Sequence, residues 1–208
     1  MPPDFGDPYT YPGTSVLRNK AGIHEPEPFK RFEYEHSASR LRELRANPVA
    51  GKFDLDHLKA IHAYIFQDVY EWAGKIRTIN ISKGDTAFAL APYIGNEARK
   101  LSASLVTENN LLGMEKPQFV ERFAHYYAEW NVLHPFRDGN GRATREWLVQ
   151  LARAAGYELD QTRIDNSNQQ WNHAAERSFY GDLAPVTLIF AEAIRPTCLL
   201  PLNQLPKA

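Results

Sequence analysis

Pro135 stands between the two most strongly patterned helical stretches of the chain, and it dictates how they meet. Proline disfavours helical geometry in the residue before it, so the upstream helix has to stop near Leu133-His134. That helix opens at Pro117, a residue suited to a first turn, and carries an apolar stripe of Phe119, Phe123, Tyr127 and Trp130. Beyond the break comes a glycine-rich turn. Ala143, Trp147, Leu148, Leu151, Ala152 and Ala155 then mark a second, buried helix that ends at Gly156. Everything between His134 and Arg145 is therefore a forced connection between two core helices.

The rest of the chain reads as helical too, with one exception. Phe32, Leu41 and Leu44 recur near helical spacing from Pro28 to Asn47, and Asn47-Pro48 ends the run. Asp54 can cap a helix in which Leu58, Ile61, His62, Ile65 and Val69 share a face. Ile76, Thr78 and Ile79-Asn80-Ile81 are β-formers, Lys83-Gly84-Asp85-Thr86 resembles a turn, and Ala87-Phe88-Ala89-Leu90 can return as a strand. Residues 76–90 are thus expected to form a hairpin, the only β element. Further helices are expected over 93–108, 167–178 and 183–194. The expected fold class is all-α with one β-hairpin. The expected organisation is an irregular N-terminal arm over 1–27, pinned by Tyr9, Tyr11 and Val16-Leu17, one domain over 28–195, and a poorly ordered tail over 196–208 with three prolines.

Composition excludes several classes. The chain has 208 residues, enough to bury a full core, and a formal net charge of -1, which offers no basic field for nucleic acid. The single cysteine, Cys198, cannot form an internal disulfide. No apolar run approaches a membrane span, and Met1-Pro2-Pro3-Asp4 lacks the basic start of a signal peptide. The expectation is a cytoplasmic protein.

The connection between the two helices carries the chemistry. It runs His134-Pro135-Phe136-Arg137-Asp138-Gly139-Asn140-Gly141-Arg142-Ala143-Thr144-Arg145. Gly139-Asn140-Gly141 can turn so that successive N–H groups point into one concavity, and the following helix offers its positive N-terminus to the same place. Arg142 and Arg145 are three apart on the first turn, so both can grip phosphate oxygens. Asp138 adds a carboxylate where Mg²⁺ would bridge to phosphate. His134 is the nearby group able to take a proton at neutral pH. A polyphosphate cradle, a metal ligand and a base together imply phosphoryl or nucleotidyl transfer. Taken singly, each residue has a bland explanation: Gly-Asn-Gly is a common turn, and a lone histidine is usually structural.

The combination resembles the signature of the Fic family, His-x-Phe-x-Asp/Glu-Gly-Asn-Gly-Arg-x-x-Arg, at every fixed position. The order of helices with a hairpin upstream is similar to the Fic core over roughly 28–195, and Tyr11-Pro12-Gly13-Thr14-Ser15-Val16-Leu17-Arg18-Asn19-Lys20 looks like the lead-in of bacterial members of this size. The resemblance implies transfer of AMP from ATP to a Tyr, Ser or Thr hydroxyl of another protein. His134 would deprotonate the hydroxyl and Phe136 would anchor the loop. Asp138 would bind Mg²⁺. Gly139, Asn140 and Gly141 would form the anion hole, with Asn140 also positioning the α-phosphate. Arg142 would hold the β-phosphate and Arg145 the γ-phosphate. The hairpin, with Ile81, Ser82, Lys83, Gly84, Asp85, Thr86, Ala87 and Phe88, would be a flap on which the target docks by strand addition. Trp171 and Asn172 are candidates for the adenine side, although core packing is the commoner fate of a tryptophan. Relatives with lysine at the second glycine act as kinases, and one with alanine at the first transfers phosphocholine. Gly139 and Gly141 therefore favour AMP transfer. A non-catalytic nucleotide-binding module is the alternative from another class, opposed by the intact His134 and Asp138.

Regulation is the remaining question. Many Fic proteins carry an inhibitory helix with Ser/Thr-x-x-x-Glu-Gly/Asn, whose glutamate meets the second motif arginine. Ser104-Leu105-Val106-Thr107-Glu108-Asn109 fits the pattern, but it lies between flap and motif, where the family does not place its inhibitor. Ser39 and Glu43 are followed by Leu44 and miss it. The expected inhibitor is therefore a separate small antitoxin protein, with this chain the toxin of the pair. The expected target is the ATPase subunit of a type II topoisomerase, the alternative being a secreted effector acting on host GTPases.

Overall fold

The computed structural model describes residues 6–84, 86–165 and 169–197. Seven α-helices appear among them, close to where the patterning puts them: α1 (Pro26–Ala46), α2 (Leu55–Phe66), α3 (Ile94–Thr107), α4 (Lys116–Leu133), α5 (Asn140–Ala154), α6 (Gln169–Phe179) and α7 (Ala184–Ala193). Asp54 caps α2 by accepting from His57 N at 2.9 Å, and Gly156 ends the α5 region at φ 88°. No described helix is long and apolar enough to cross a membrane.

Helices α4 and α5 form the centre. Trp130 and Trp147 meet edge to face at 5.7 Å between them, both almost fully buried. Phe119, Phe123 and Phe190 extend this core towards α7, while Ile61, Ile65 and Phe66 bring in α2 from the other side. The N-terminal arm is tied down as its apolar residues suggest. Val16 and Leu17 are buried, Thr10 bridges to Leu17, and the Tyr9 ring stands edge-on to Trp72 at 5.5 Å. Tyr11 plays a local part instead, stacking on His24 at 3.8 Å. The arm also reaches the motif, because Asp7 pairs with Arg137 at 2.6 Å.

Two β expectations need correction. The hairpin is laddered only between β1 (Ser82–Lys83) and β2 (Thr86–Ala87), with Lys83 opposite Thr86. Its legs over 76–81 and 88–90 form no further ladder: Arg77 N donates to Pro135 O at 2.9 Å, Ala89 N to Val132 O at 3.0 Å, and Phe88 N to Ile81 O at 3.3 Å. The hairpin is also not the only β element. Strands β3 (Tyr157–Leu159) and β4 (Ile194–Pro196) pair antiparallel, Tyr157 opposite Pro196. Three residues are too few to produce a period-2 signal, so this pair has no signature in the sequence. It also draws Arg195 and Pro196 onto the body, and Thr197 N donates to Gly156 O at 2.9 Å. The remaining tail expectation, over 198–208, lies outside the described residues, as does Asp85 of the flap.

Candidate active site

A cleft of about 760 Å³ opens over the start of α5. Its wall holds His134, Asp138, Gly139, Asn140, Gly141, Arg142 and Arg145 from the motif, Lys83, Gly84, Thr86 and Phe88 from the hairpin, and Trp171 and Asn172 from α6. Of the residues singled out in the sequence, Ile81, Ser82 and Ala87 are outside this lining. Ser82 and Ala87 are exposed along the hairpin edge instead.

His134 caps the C-terminus of α4 in the left-handed conformation, φ 43° and ψ 61°. A non-glycine residue adopts this only where the surroundings over-determine it, and such strain gathers at functional sites. Pro135 supplies part of the reason, since His134 cannot continue the helix. The ring is held on two sides. Nδ1 donates to Asn131 O at 3.2 Å, which leaves Nε2 as the lone-pair nitrogen. Phe88 stacks on its face with centroids 3.7 Å apart. Burial pushes its pKa down to about 4, assisted by the positive charges of Arg77 and Lys83. The imidazole is thus neutral at physiological pH and able to accept a proton.

The turn that follows is built on the core itself. Gly139 sits at φ 78°, and a Cβ there would lie 2.4 Å from the Phe66 ring and 3.1 Å from His62 Nε2. Both backbone conformation and space therefore demand glycine. His62, expected simply to be packed, is packed and also bonded. Its Nδ1 accepts from Gly74 N at 2.9 Å, so the proton is on Nε2, which donates to Asp138 O at 3.0 Å. Its ring stacks on Phe136 at 3.8 Å, and burial lowers its pKa to about 4. Phe136 is fully buried, as the resemblance implies.

Asn140 differs from expectation. Its carboxamide does not reach into the cleft to meet a phosphate. Oδ1 accepts from Phe136 N and Nδ2 donates to Phe136 O, each at 2.8 Å, in a buried position. The side chain is a brace that closes the turn, and the groups left to face an anion are the backbone N–H groups that any helix start leaves without intrahelical partners.

The two arginines also differ from each other. Arg142 lies over the Phe66 ring at 4.6 Å. Its Nη1 pairs with Glu33 of α1 at 2.6 Å and donates to Ser37 at 3.1 Å. Burial raises the Glu33 pKa while Arg142 lowers it. Neither Glu33 nor Ser37 carries a signal in the sequence, since their distance to Arg142 arises only from packing α1 on α2. Arg145 lines the cleft beside Tyr127, and burial depresses its pKa, opposed by Asp165. Asp138 is exposed, with Oδ1 accepting from Gly139 N at 2.8 Å. Trp171 has the core packing that is the commoner fate of a tryptophan. It is 2% exposed, packed at 4.8 Å on Tyr127 and 5.7 Å on Phe190, yet it still forms cleft wall. Asn172 is exposed on the same wall.

A neutral histidine and the start of a helix share one cleft, and the chain around them agrees with a known family. The Fic/DOC family model matches residues 52–152. A probable protein adenylyltransferase Fic of Escherichia coli is 40% identical over 188 residues, covering 90% of this chain and 92% of that protein. The chain belongs to the Fic/DOC family. The protein adenylyltransferase VbhT of Bartonella schoenbuchensis is 43% identical over 176 residues, 85% of this chain but 36% of its own length. Among solved structures, the BepC protein of Bartonella tribocorum, a VirB-translocated effector with bound AMPPNP, superposes with a TM-score of 0.81 at 30% identity, covering 91% of this chain and 97% of that one. This Fic chain is a protein adenylyltransferase, and its helical core with a small hairpin is the Fic fold.

Two outcomes follow from the site. Gly139→Ala should lower unfolding free energy by about 2–4 kcal/mol, from left-handed strain and overpacking against Phe66. A loss under about 0.5 kcal/mol in urea denaturation would mean that the ring yields freely. Stability should also fall on mild acidification. His62 and His134 titrate near 6.5 when unfolded and near 4 when folded. The unfolded state binds protons first, so their contribution is present above about pH 6.5 and is lost as pH falls towards about 4. Buried Glu33 and Glu146, with raised values, act in the opposite sense. The drop in urea midpoint between about pH 7.5 and about pH 5 should therefore be smaller for His134→Ala than for the wild type.

Proposed function

We propose that the cleft binds ATP and that the chain transfers AMP to a protein hydroxyl presented by the hairpin. The observation that carries this is the neutral His134 beside the start of α5 in one cleft. The N–H groups there and the helix dipole attract phosphate. Arg145 and the rest of the Arg142 guanidinium would take the outer phosphates. The Glu33 and Ser37 contacts hold Arg142 by Nη1 and orient its fork. Trp171 and Asn172 would border adenine. BepC, with its bound AMPPNP, is a precedent for such a nucleotide in this fold.

His134 Nε2 removes the proton of the target hydroxyl. The oxygen attacks the α-phosphorus in line, the bond to the α–β bridging oxygen breaks, and pyrophosphate leaves. The donor set suits Mg²⁺. Asp138 offers an exposed carboxylate on the cleft wall, and no three His, Cys, Asp or Glu side chains converge among the described residues, so the ion would share phosphate oxygens as ligands. When bound, Mg²⁺ would offset the charge of the phosphates.

The edge of the hairpin, exposed at Ser82, Lys83, Gly84 and Ala87, supports docking of the target by strand addition. We place the chain as the toxin of a pair whose small antitoxin carries Ser/Thr-x-x-x-Glu-Gly/Asn and meets Arg145. The internal candidate supports that reading by being engaged elsewhere. Glu108 bonds Arg122 at 2.6 and 2.7 Å and Tyr126 at 2.9 Å. Glu43, the near miss, is held by Arg40 at 2.8 Å. A topoisomerase ATPase subunit is the proposed target, in the cytoplasm. A second reading, an effector acting on host GTPases, draws on the likeness to the translocated BepC.

With Mg²⁺, the purified protein should move label from α-³²P-ATP, and not from γ-³²P-ATP, to a lysate protein. His134→Ala should cut the rate by at least about 10²-fold with ATP binding retained. Transfer of γ-label alone would mean a kinase. Expressed without an antitoxin, the wild type should slow bacterial growth and His134→Ala should not; equal growth would favour the effector reading. Glu108→Gly should lose stability without gaining activity. A several-fold rise in transfer by that variant would make Glu108 a built-in inhibitor.

A further inference from the structure

Arg77 enters the chemistry above only through its charge, yet it is the one arginine buried among the described residues, 2% exposed. No carboxylate pairs with it there; its partners are carbonyl oxygens. Nε donates to His134 O at 2.9 Å, Nη1 to Ile79 O at 2.7 Å, and Nη2 to Leu133 O at 3.3 Å and to Ala89 O. Its backbone N donates to Pro135 O at 2.9 Å. One planar group therefore gathers three separate pieces of chain: both legs of the hairpin and the last turn of α4 with the residue that follows.

Each contact answers a physical need. Leu133 O and His134 O are among the carbonyls that a helix C-terminus leaves without partners, and they form the negative end of its dipole. A cation is favoured there, and the carbonyls offset part of the cost of burying it. Ile79 and Ala89 flank a ladder of only two residue pairs. A ladder that short does not hold its own geometry. His134 is in a conformation that persists only under outside constraint. Guanidinium supplies that constraint because its donors form a rigid fork, which an ammonium lacks.

We infer that Arg77 is a positioning residue, which fixes the hairpin relative to His134 so that a docked target segment presents its hydroxyl to the base. This rests on the reading of the hairpin as the target-docking flap. It is distinct from the roles of Lys83, Gly84, Thr86 and Phe88, which line the cleft, since Arg77 acts through backbone oxygens from behind.

The test compares the full chain with Arg77→Lys, which keeps the charge and loses the fork, and with Arg77→Gln should lysine prevent folding. Amide exchange of Phe88 and Ala89, followed by NMR, should accelerate at least about 10-fold, with the interior of α4 unchanged. Transfer from α-³²P-ATP is then measured while bacterial lysate and Mg-ATP are titrated separately. Half-saturating lysate should rise about 10-fold, a modest share of what misplacement by about 1 Å can cost, with half-saturating ATP unchanged. A purely structural role would lower the plateau and move neither midpoint. Unchanged exchange at Phe88 and Ala89, or equal shifts in both midpoints, would overturn the inference. If the wild type labels nothing, the transfer reading fails, and the exchange result still decides whether Arg77 holds the hairpin.

Discussion

The two hydrogen bonds between the Asn140 carboxamide and the backbone of Phe136 close the turn on which the rest of the site depends. The segment from His134 to Gly139 has no regular structure to supply its own bonds, and buried backbone groups need partners. Asn140 satisfies two of them and, in doing so, sets the first N–H groups of α5 at the floor of the cleft. His62 takes a third through Asp138 O, and Arg77 takes a fourth through His134 O. Three side chains, from α5, α2 and the hairpin leg, thus converge on the backbone of the turn. The chemistry of the site uses the outward side of a loop whose inward side is fully engaged.

That division explains what the sequence reveals and what it conceals. The helices are legible because burial imposes a period, as in Phe119, Phe123, Tyr127 and Trp130, and because Pro135 marks their break. The residues facing the cleft are legible because nucleotide chemistry needs particular groups at fixed spacing along one turn. The residues behind the turn are another matter. His62 reads as one more member of an apolar face, and Arg77 as a stray charge among β-formers. Glu33 sits on a different helix, more than a hundred positions before the Arg142 it holds. Their importance is set by distances across the fold, and no local spacing encodes those. Asn140 is the instructive case. Its type is legible and its use is not, because a buried carboxamide can serve a ligand or the backbone, and only packing decides which.

Electrostatics follows the same layout. The cleft holds Arg142 and Arg145 together with Asp138, and Glu33 lies behind Arg142. An unpaired guanidinium would adopt many orientations in an open cleft. The carboxylate and the Phe66 face restrict it in advance, which in the proposed role would lower the ordering cost of gripping a phosphate. His134 is handled in the opposite way: its neighbours keep charge off it rather than supplying a partner. A neutral histidine and a paired arginine thus share one wall under contrasting local rules.

The contact between Gly139 and the Phe66 ring leaves no compliant layer between catalysis and core. In most enzymes a loop at the surface absorbs changes in the packing beneath it. A shift of α2 by a few tenths of an ångström would therefore press directly on Gly139, just before the first N–H groups of α5. Substitutions at Phe66 or Ile65 would then behave as active-site lesions although they touch no ligand, and a search for loss-of-function variants would recover the apolar face of α2 alongside the motif. The interior of this protein is answerable to its chemistry as much as to its stability, which narrows the sequences that can drift under α5.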